Sequence, residues 1–208
     1  MAKSKVRADI LVVEQGLAPT RAKAQALILA GAVVTLDGRR IDKAGMALEP
    51  HEELRLKGKP MPYVSRGGLK LEGALENFRV NPSGRICMDV GASTGGFTDC
   101  LLQKGATRVY AVDVGSNQLA WSLRSDSRVI SLEKTNIRTM PPETIAEPVS
   151  IIVADVSFIS LELILAPAFA AAGPGCEVVM LVKPQFEVGR AEVGKGGIVR
   201  NEEARLGA

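Results

Sequence analysis

The stretch Asp89-Val-Gly-Ala-Ser-Thr-Gly-Gly-Phe-Thr98 decides the fold. The apolar run 86–90 enters it, an acid and a glycine end that run, and a loop of small residues leads into a helix predicted over 98–104. This order describes a strand feeding a ligand-binding turn of an α/β sheet. Gly91 permits the tight turn, while Gly95 and Gly96 let backbone approach a bound molecule closely. The first N–H groups of the helix lack partners and point back at the ligand. A second acid, Asp113, closes the next strand, predicted over 109–113, and follows the first glycine by 113 − 91 = 22 residues. A carboxylate there can take both hydroxyls of a ribose. Turn and acid together predict a nucleoside-containing cofactor.

The residues leave the kind of cofactor open among three readings. A dinucleotide-binding turn reads G-x-G-x-x-G and offers its helix to a pyrophosphate. Here Ser93 takes the place of the middle glycine. Asp89, just before the first glycine, repels a pyrophosphate but suits a cation such as S-adenosylmethionine. The methyl donor is therefore favoured over an NAD-type ligand and over a purely structural glycine turn.

The chain has 208 residues, of which 46% are hydrophobic, enough for one domain with a real core plus a smaller one. No apolar run approaches the ~20 residues of a membrane span. The charged start has no apolar segment behind it and does not read as a secretory signal, so the expected setting is the cytoplasm. Cys87, Cys100 and Cys176 are scattered, as buried thiols in a reducing compartment would be. With His51 as the single histidine, no metal is expected. Net charge is +3, divided as +5 over residues 1–80 and −2 over 81–208. A basic front module on a near-neutral body fits a polyanionic partner, though an ordinary solvated surface would carry the same charges.

The front module has its own logic. Thr20 caps a helix predicted over 21–30, closed by Gly31, with Ala24, Leu27 and Ile28 on one face. Segments 33–36 and 39–41 flank Asp37-Gly38, a two-residue hairpin signal. Arg21, Lys23, Arg39, Arg40 and Lys43 are then available to phosphates. The spacing Gly16-Leu-Ala-x-x-Arg21-x-x-Ala24-x-x-Leu27-Ile-x-x-Gly31-x-Val33, followed by Asp37-Gly38-x-x-Ile41-x-Lys43, resembles an S4-like RNA-binding domain. The resemblance implies binding to structured RNA through phosphates and shape. Its departure is Asp37, where the family often has asparagine. The expected organisation is an S4-like domain over 1–58, a linker over 59–64 rich in proline, and a catalytic domain over 65–208.

In the catalytic domain, Ser65-Arg-Gly-Gly-Leu-Lys70 leads into a helix with Leu71, Ala74, Leu75 and Phe78 on one face. Strands are predicted over 109–113, 129–132, 149–155 and 176–183, separated by helical stretches. The architecture is thus an α/β Rossmann-like parallel sheet. Gly91, Asp113, Asp155 and Lys183 all fall at the C-terminal ends of its strands. Asp155-Val-Ser-Phe158 stands where amine methyltransferases carry Asn/Asp-Pro-Pro-aromatic, but without proline. Lys183 finishes a very apolar strand, where both faces are normally buried. Asn136, after the third strand, is a candidate contact for a nucleobase edge, or else a loop cap. Trp121 is expected in the core rather than on a cofactor.

Residues 65–200 resemble the FtsJ-like RNA 2′-O-methyltransferases, and with the front module attached the chain resembles the TlyA/haemolysin A family. The matching runs are Ser65-Arg-Gly-Gly-x-Lys70-Leu, Asp89-x-Gly-Ala-Ser-Thr-Gly-Gly-Phe-Thr98, Ala111-x-Asp113-Val-Gly, Gln118-Leu-Ala-Trp-Ser-Leu-Arg124, Ala154-Asp155-x-Ser-Phe-Ile-Ser160 and Leu181-Val-Lys-Pro-Gln-Phe-Glu-Val-Gly189. The resemblance implies a class I methyltransferase that moves a methyl group from S-adenosylmethionine to a ribose 2′-hydroxyl of ribosomal RNA, typically on a cytidine. It carries catalytic roles to Lys70, Asp155 and Lys183. It also makes Asp89, Gly91, Ser93, Gly95, Gly96, Phe97, Asp113, Asn136 and Asp155 the cofactor-binding set, with Arg66 added to the RNA-binding residues.

The chemistry suits these types. A ribose hydroxyl is a poor nucleophile and must be aligned with the sulfonium methyl and relieved of its proton. Neighbouring ammonium groups each make it easier for the other to give up a proton. Lys183 is expected nearest that proton, with Asp155 holding the second ammonium. The family's fourth catalytic residue is a glutamate in a Gly-Asn-x-Glu-like motif, which has no counterpart before Ala208; Glu187 does not take its role. The resemblance therefore implies a C-terminally shortened form with weaker catalysis. The competing expectations are a catalytically inactive RNA-binding assembly factor and, on one of the family's names, a haemolysin.

Overall fold

A computed structural model describes residues 5–58 and 61–208. It divides into two compact units, Met1–Pro60 and Met61–Ala208. Lys59 and Pro60 of the expected linker lie outside the described residues. Tyr63, also expected in the linker, is buried in the core of the second unit, and the Val64 N–H donates to Asp99 at 2.8 Å.

In the first unit β1 (Val6–Arg7) runs into α1 (Ala8–Glu14), α2 (Arg21–Leu29), β2 (Val33–Thr35), β3 (Ala47–Leu48) and β4 (Leu54–Leu56). Thr20 Oγ1 accepts from the Lys23 N–H and starts α2, and the left-handed Gly31 follows its end. Ala24 and Ile28 are fully buried from one side of α2, packed with Leu11, Val12 and Ile41. The expected hairpin forms only at its turn. Gly38 N–H bonds to the Thr35 carbonyl, but past a single bridge, Val34 to Arg40, the second arm is not a strand. Instead β2 pairs antiparallel with β4. The Thr35-to-Arg39 turn satisfies only a few backbone groups, whereas Leu54–Leu56 brings Leu54 into the buried core.

The second unit contains α3 (Gly67–Phe78), β5 (Ile86–Val90), α4 (Gly96–Gln103), β6 (Arg108–Val112), α5 (Trp121–Arg124), β7 (Val129–Leu132), β8 (Val149–Ala154), α6 (Glu162–Phe169), β9 (Ala172–Met180), α7 (Pro184–Glu187) and α8 (Glu202–Leu206). Five of these strands form one parallel sheet in the order β7-β6-β5-β8-β9. One face packs Leu71, Leu75 and Leu101 from α3 and α4 against Val109, Ile151 and Val153. The other packs Ile164 and Ala168 of α6 against Tyr110, Ile152 and Met88. Burying each Leu or Ile this way stabilises by about 1.5–3 kcal/mol. Central strands β5, β6 and β8 are therefore almost wholly apolar, as strands covered on both faces must be.

Four expectations about this unit need correction. Strand β9 ends at Met180, so Lys183 lies beyond it, and only Val179 of the strand is buried. It pairs with β8 alone, so its far side is not covered by another described strand. Phe78 and Trp121 are 70% and 78% exposed, the former at the last turn of α3 and the latter at the first residue of a four-residue helix, where neither meets the core. Helix α4 begins at Gly96, two residues before the expected start, because Gly95 supplies the left-handed N-cap with φ +96°.

Candidate active site

The sheet order reverses direction between β5 and β8, and the chain leaves both strands there side by side. Val90 pairs with Ala154, so Gly91 and Asp155 emerge as neighbours at this switch point, where α/β sheets gather ligands. Gly91, at φ +82°, turns the chain so that its N–H and that of Ala92 reach the Val112 carbonyl of β6. Two cavities of about 480 and 380 Å³ open at this edge and share Gly91, Ser93, Asp155 and Ser157. The first is lined by polar groups, including Ser65, Arg66, Lys70 and Lys183, with Asp89, Gly96 and Phe97 also on its wall. The second is lined by Val112, Val114, Ile137 and Phe158, with Asp113 and Asn136 among its polar groups.

Asp155 joins the expected catalytic residues. Lys70 Nζ, reaching from α3, donates to its Oδ2 at 2.7 Å. Lys183 Nζ lies 2.6 Å from Oδ1 as an ion pair, but out of line for a hydrogen bond, so Oδ1 is a buried oxygen without a hydrogen-bond donor. Lys183 instead donates in line to Ser157 Oγ at 2.8 Å. Burial pushes the Asp155 carboxyl up, and the two ammonium groups outweigh that, holding it below its ordinary value. The Lys183 and Asp155 side chains are each 18% exposed, against 51% for Lys70.

Asp89 behaves differently. It is 1% exposed, and its Oδ2 accepts both the Thr98 N–H at 2.9 Å and the Thr98 hydroxyl at 2.7 Å. The Thr98 N–H is thus spent on Asp89 and does not face a ligand. Burial pushes the Asp89 carboxyl up to about 7, against the pull of these bonds. A Cβ at Gly96 would stand 2.2 Å from Ser65 Oγ and 2.9 Å from the Gly68 nitrogen, so the starts of α3 and α4 meet at a glycine contact. Gly95 lines neither cavity, and a Cβ on it would meet Leu119 and Leu123.

Asp113 accepts the Gly115 N–H on Oδ1 and the Ser93 N–H on Oδ2, each at 2.7 Å. These bonds fix the carboxylate at the mouth of the second cavity and leave each oxygen a further lone pair. Ser93 is held in the left-handed region at φ 48° by this arrangement. Asn136 Oδ1 caps its own loop, accepting from the Arg138 N–H at 3.1 Å, while the residue lines the second cavity. Asn136 is thus the loop cap, and its side-chain amide N–H groups make no hydrogen bond among the described residues. Glu187 accepts from Ser160 Oγ at 2.7 Å and from the Leu161 N–H at 3.0 Å, which caps the start of α6. Ser157 was not singled out by sequence reasoning, because nothing in Asp155-Val-Ser-Phe158 separates a lysine-binding serine from a loop serine.

In the front unit Asp9 is fully buried beneath Arg7 and Arg21, and Gln25 adds a bond at 2.8 Å. The Arg7 guanidinium, with help from Gln25 and Arg21, holds the Asp9 carboxyl far below its ordinary value against the cost of burial. Arg39 pairs with Glu52, and Arg40 with Asp42 at 2.8 Å. Lys23 and Lys43 are exposed and have no ion pair among the described residues. Arg66 is exposed just before α3 and lines the first cavity.

Among the described residues no helix is long and apolar enough to cross a membrane. The model of the S4 domain matches residues 6–54, and that of the FtsJ-like methyltransferase matches residues 63–207. YqxC of Bacillus subtilis (strain 168) is 52% identical over 202 residues, covering 97% of this chain and 72% of that protein. The 16S/23S rRNA (cytidine-2′-O)-methyltransferase TlyA of Mycobacterium tuberculosis (strain ATCC 25618 / H37Rv) is 47% identical over 202 residues, covering 97% of this chain and 75% of that one. A solved structure bearing the hemolysin name, from Streptococcus thermophilus, is 50% identical with a TM-score of 0.70, covering 97% of this chain and 74% of that one. The chain belongs to the FtsJ-like methyltransferase family, with an S4 domain at its front.

Proposed function

We propose that this chain transfers a methyl group from S-adenosylmethionine to a ribose 2′-hydroxyl of ribosomal RNA, on a cytidine. The carrying observation is the convergence of Lys70 and Lys183 on Asp155 at the boundary of two cavities. Two features support a fit to the methyl donor. The second cavity joins apolar walls to the fixed Asp113 carboxylate, the chemistry of a nucleoside site. The buried Asp155 Oδ1 lacks a hydrogen-bond donor, and a hydroxyl or ammonium of the bound pair would supply one. In this reading Asp113 takes the ribose hydroxyls of the cofactor and Asn136 offers its amide to the adenine edge. Gly91, Ser93, Gly96 and Phe97 form the wall at the methionine end.

S-adenosylmethionine supplies an electrophilic methyl carbon on a sulfonium. Lys70 and Asp155 hold the incoming ribose, and Lys183 is the group nearest the 2′-hydroxyl proton. With the donor bound, Lys183 would accept that proton as the hydroxyl oxygen takes the methyl group. Alignment supplies most of the acceleration. Arg66 and the exposed basic residues of the S4 domain, Lys23 and Lys43 with Arg21, Arg39 and Arg40, bind RNA phosphates. A ribosomal RNA substrate puts the protein in the cytoplasm.

The test is incubation with tritiated S-adenosylmethionine and unmodified ribosomal subunits, followed by alkaline hydrolysis. A 2′-O-methyl group blocks cleavage at its own linkage, so label is expected in an alkali-resistant dinucleotide. Label in mononucleotides would move the target to a base. No label would overturn the reading and leave an RNA-binding assembly factor.

A further inference from the structure

Asp155 satisfies the charge of Lys183 but does not fix its direction, since their 2.6 Å contact is out of line for a hydrogen bond. The direction comes from Ser157, whose Oγ accepts the one in-line hydrogen bond that Lys183 Nζ donates among the described residues, at 2.8 Å. Ser157 also belongs to the small group of residues lining both cavities. It therefore stands at the seam where a donor in one cavity and an acceptor in the other would meet.

We propose that Ser157 is a positioning residue that aims the Lys183 amine at the reacting hydroxyl, an inference that rests on the methyltransferase reading above. The geometry gives it two advantages for this task. Its neighbour Phe158 stands at φ +65°, a region that non-glycine residues enter rarely, so the backbone presenting the serine takes an uncommon turn. Its hydroxyl also keeps its own hydrogen while accepting from Lys183, so it can donate to a further acceptor in the seam. A lysine on a flexible four-carbon stem loses directional order without such a partner.

The test compares Ser157→Ala and Ser157→Thr with the unaltered protein in single-turnover methyl transfer across pH 6 to 10, with S-adenosylmethionine affinity measured separately by calorimetry. Ser157→Ala is expected to lower the maximal rate roughly 10- to 100-fold and to displace the pH profile, as loss of alignment does. Cofactor affinity should stay within about twofold, which also certifies folding, and Ser157→Thr should restore most of the rate because it keeps the hydroxyl. An Ala variant with the rate and pH profile of the unaltered protein would overturn the proposal. So would a rate loss that merely follows lost cofactor affinity. If the unaltered protein puts no label in alkali-resistant dinucleotides, the methyltransferase reading itself falls, and the Ser157 role falls with it.

Discussion

Lys70 and Lys183 face opposite oxygens of one carboxylate, Oδ2 and Oδ1 of Asp155, at 2.7 and 2.6 Å. They arrive from different elements, Lys70 from α3 and Lys183 from the turn before α7. Two cations this close would repel without the acid between them, and the acid would be costly to bury without the cations.

Asp155→Asn should therefore do more harm than the loss of one hydrogen bond. It removes the counter-charge from both lysines while leaving the size of the side chain unchanged. Methyl transfer is expected to fall on the order of 100-fold or more. Lys70→Ala and Lys183→Ala should each abolish most activity, and combining them should cost little more than either alone, because they act through one carboxylate. Additive losses in single-turnover assays would show that the three do not work as a unit.

Gly96→Ala tests the contact between the starts of α3 and α4. The new methyl would meet the Gly68 backbone at 2.9 Å, which cannot swing aside as a side chain does. The expected cost is about 1–3 kcal/mol of stability, with weaker cofactor binding. Gly73→Ala is the control, since its Cβ would meet nothing within 4 Å and helix propensity alone would stabilise it by roughly 0.5–1 kcal/mol. Thermal melts that ranked the two the other way would refute this packing argument.

Stability should also depend on pH through Asp89. Its carboxyl loses a proton near the ordinary value of 3.8 when unfolded but only near 7 when folded. Between those values the folded state holds the extra proton, so this group's contribution is fully present below about pH 4 and is lost as pH rises through 7. The melting temperature should decline over that window in the unaltered protein, and Asp89→Asn should lack this part of the decline. Parallel curves for the two proteins would contradict the buried-acid account.

Glu187 offers a separation of structure from chemistry. As the cap of α6, its removal in Glu187→Ala should cost about 0.5–2 kcal/mol in a melt. The methyl-transfer rate per folded molecule should stay within about twofold. A collapse of the rate at unchanged stability would mean the carboxylate acts on substrate.

Of the S4-domain residues expected to meet RNA, Arg21, Arg39 and Arg40 hold ion pairs, whereas Lys23 and Lys43 are exposed and free of them among the described residues. Replacing both with Ala should weaken ribosomal RNA binding and reduce the slope of log affinity against log salt by roughly one for each phosphate no longer neutralised. Cofactor affinity should not move. An unchanged slope would assign the phosphates to other basic residues instead.

The sequence by itself determined the local chemistry. A strand, a glycine turn and an acid at fixed spacing were legible around Asp89, Gly91 and Asp113 because those rules concern neighbours along the chain. The same holds for the Thr20 cap and the buried side of α2. The alternating β/α order also implied that Asp155 and Lys183 would lie near strand ends, while Lys70, on a flanking helix, joined them only through the family resemblance. What only the tertiary structure decided is how they meet. Register sets Gly91 beside Asp155, the approach of α3 brings Lys70 to Oδ2, and the early end of β9 releases Lys183 toward Ser157. Trp121 and Phe78 were misread for the same reason, since periodicity names a face but not whether anything covers it. That a Cβ at Gly95 would meet Leu119 and Leu123, and that β2 pairs with Leu54–Leu56 rather than with the next segment, is decided by packing between segments distant in sequence. Those energies belong to pairs of surfaces, and no single stretch of residues carries them.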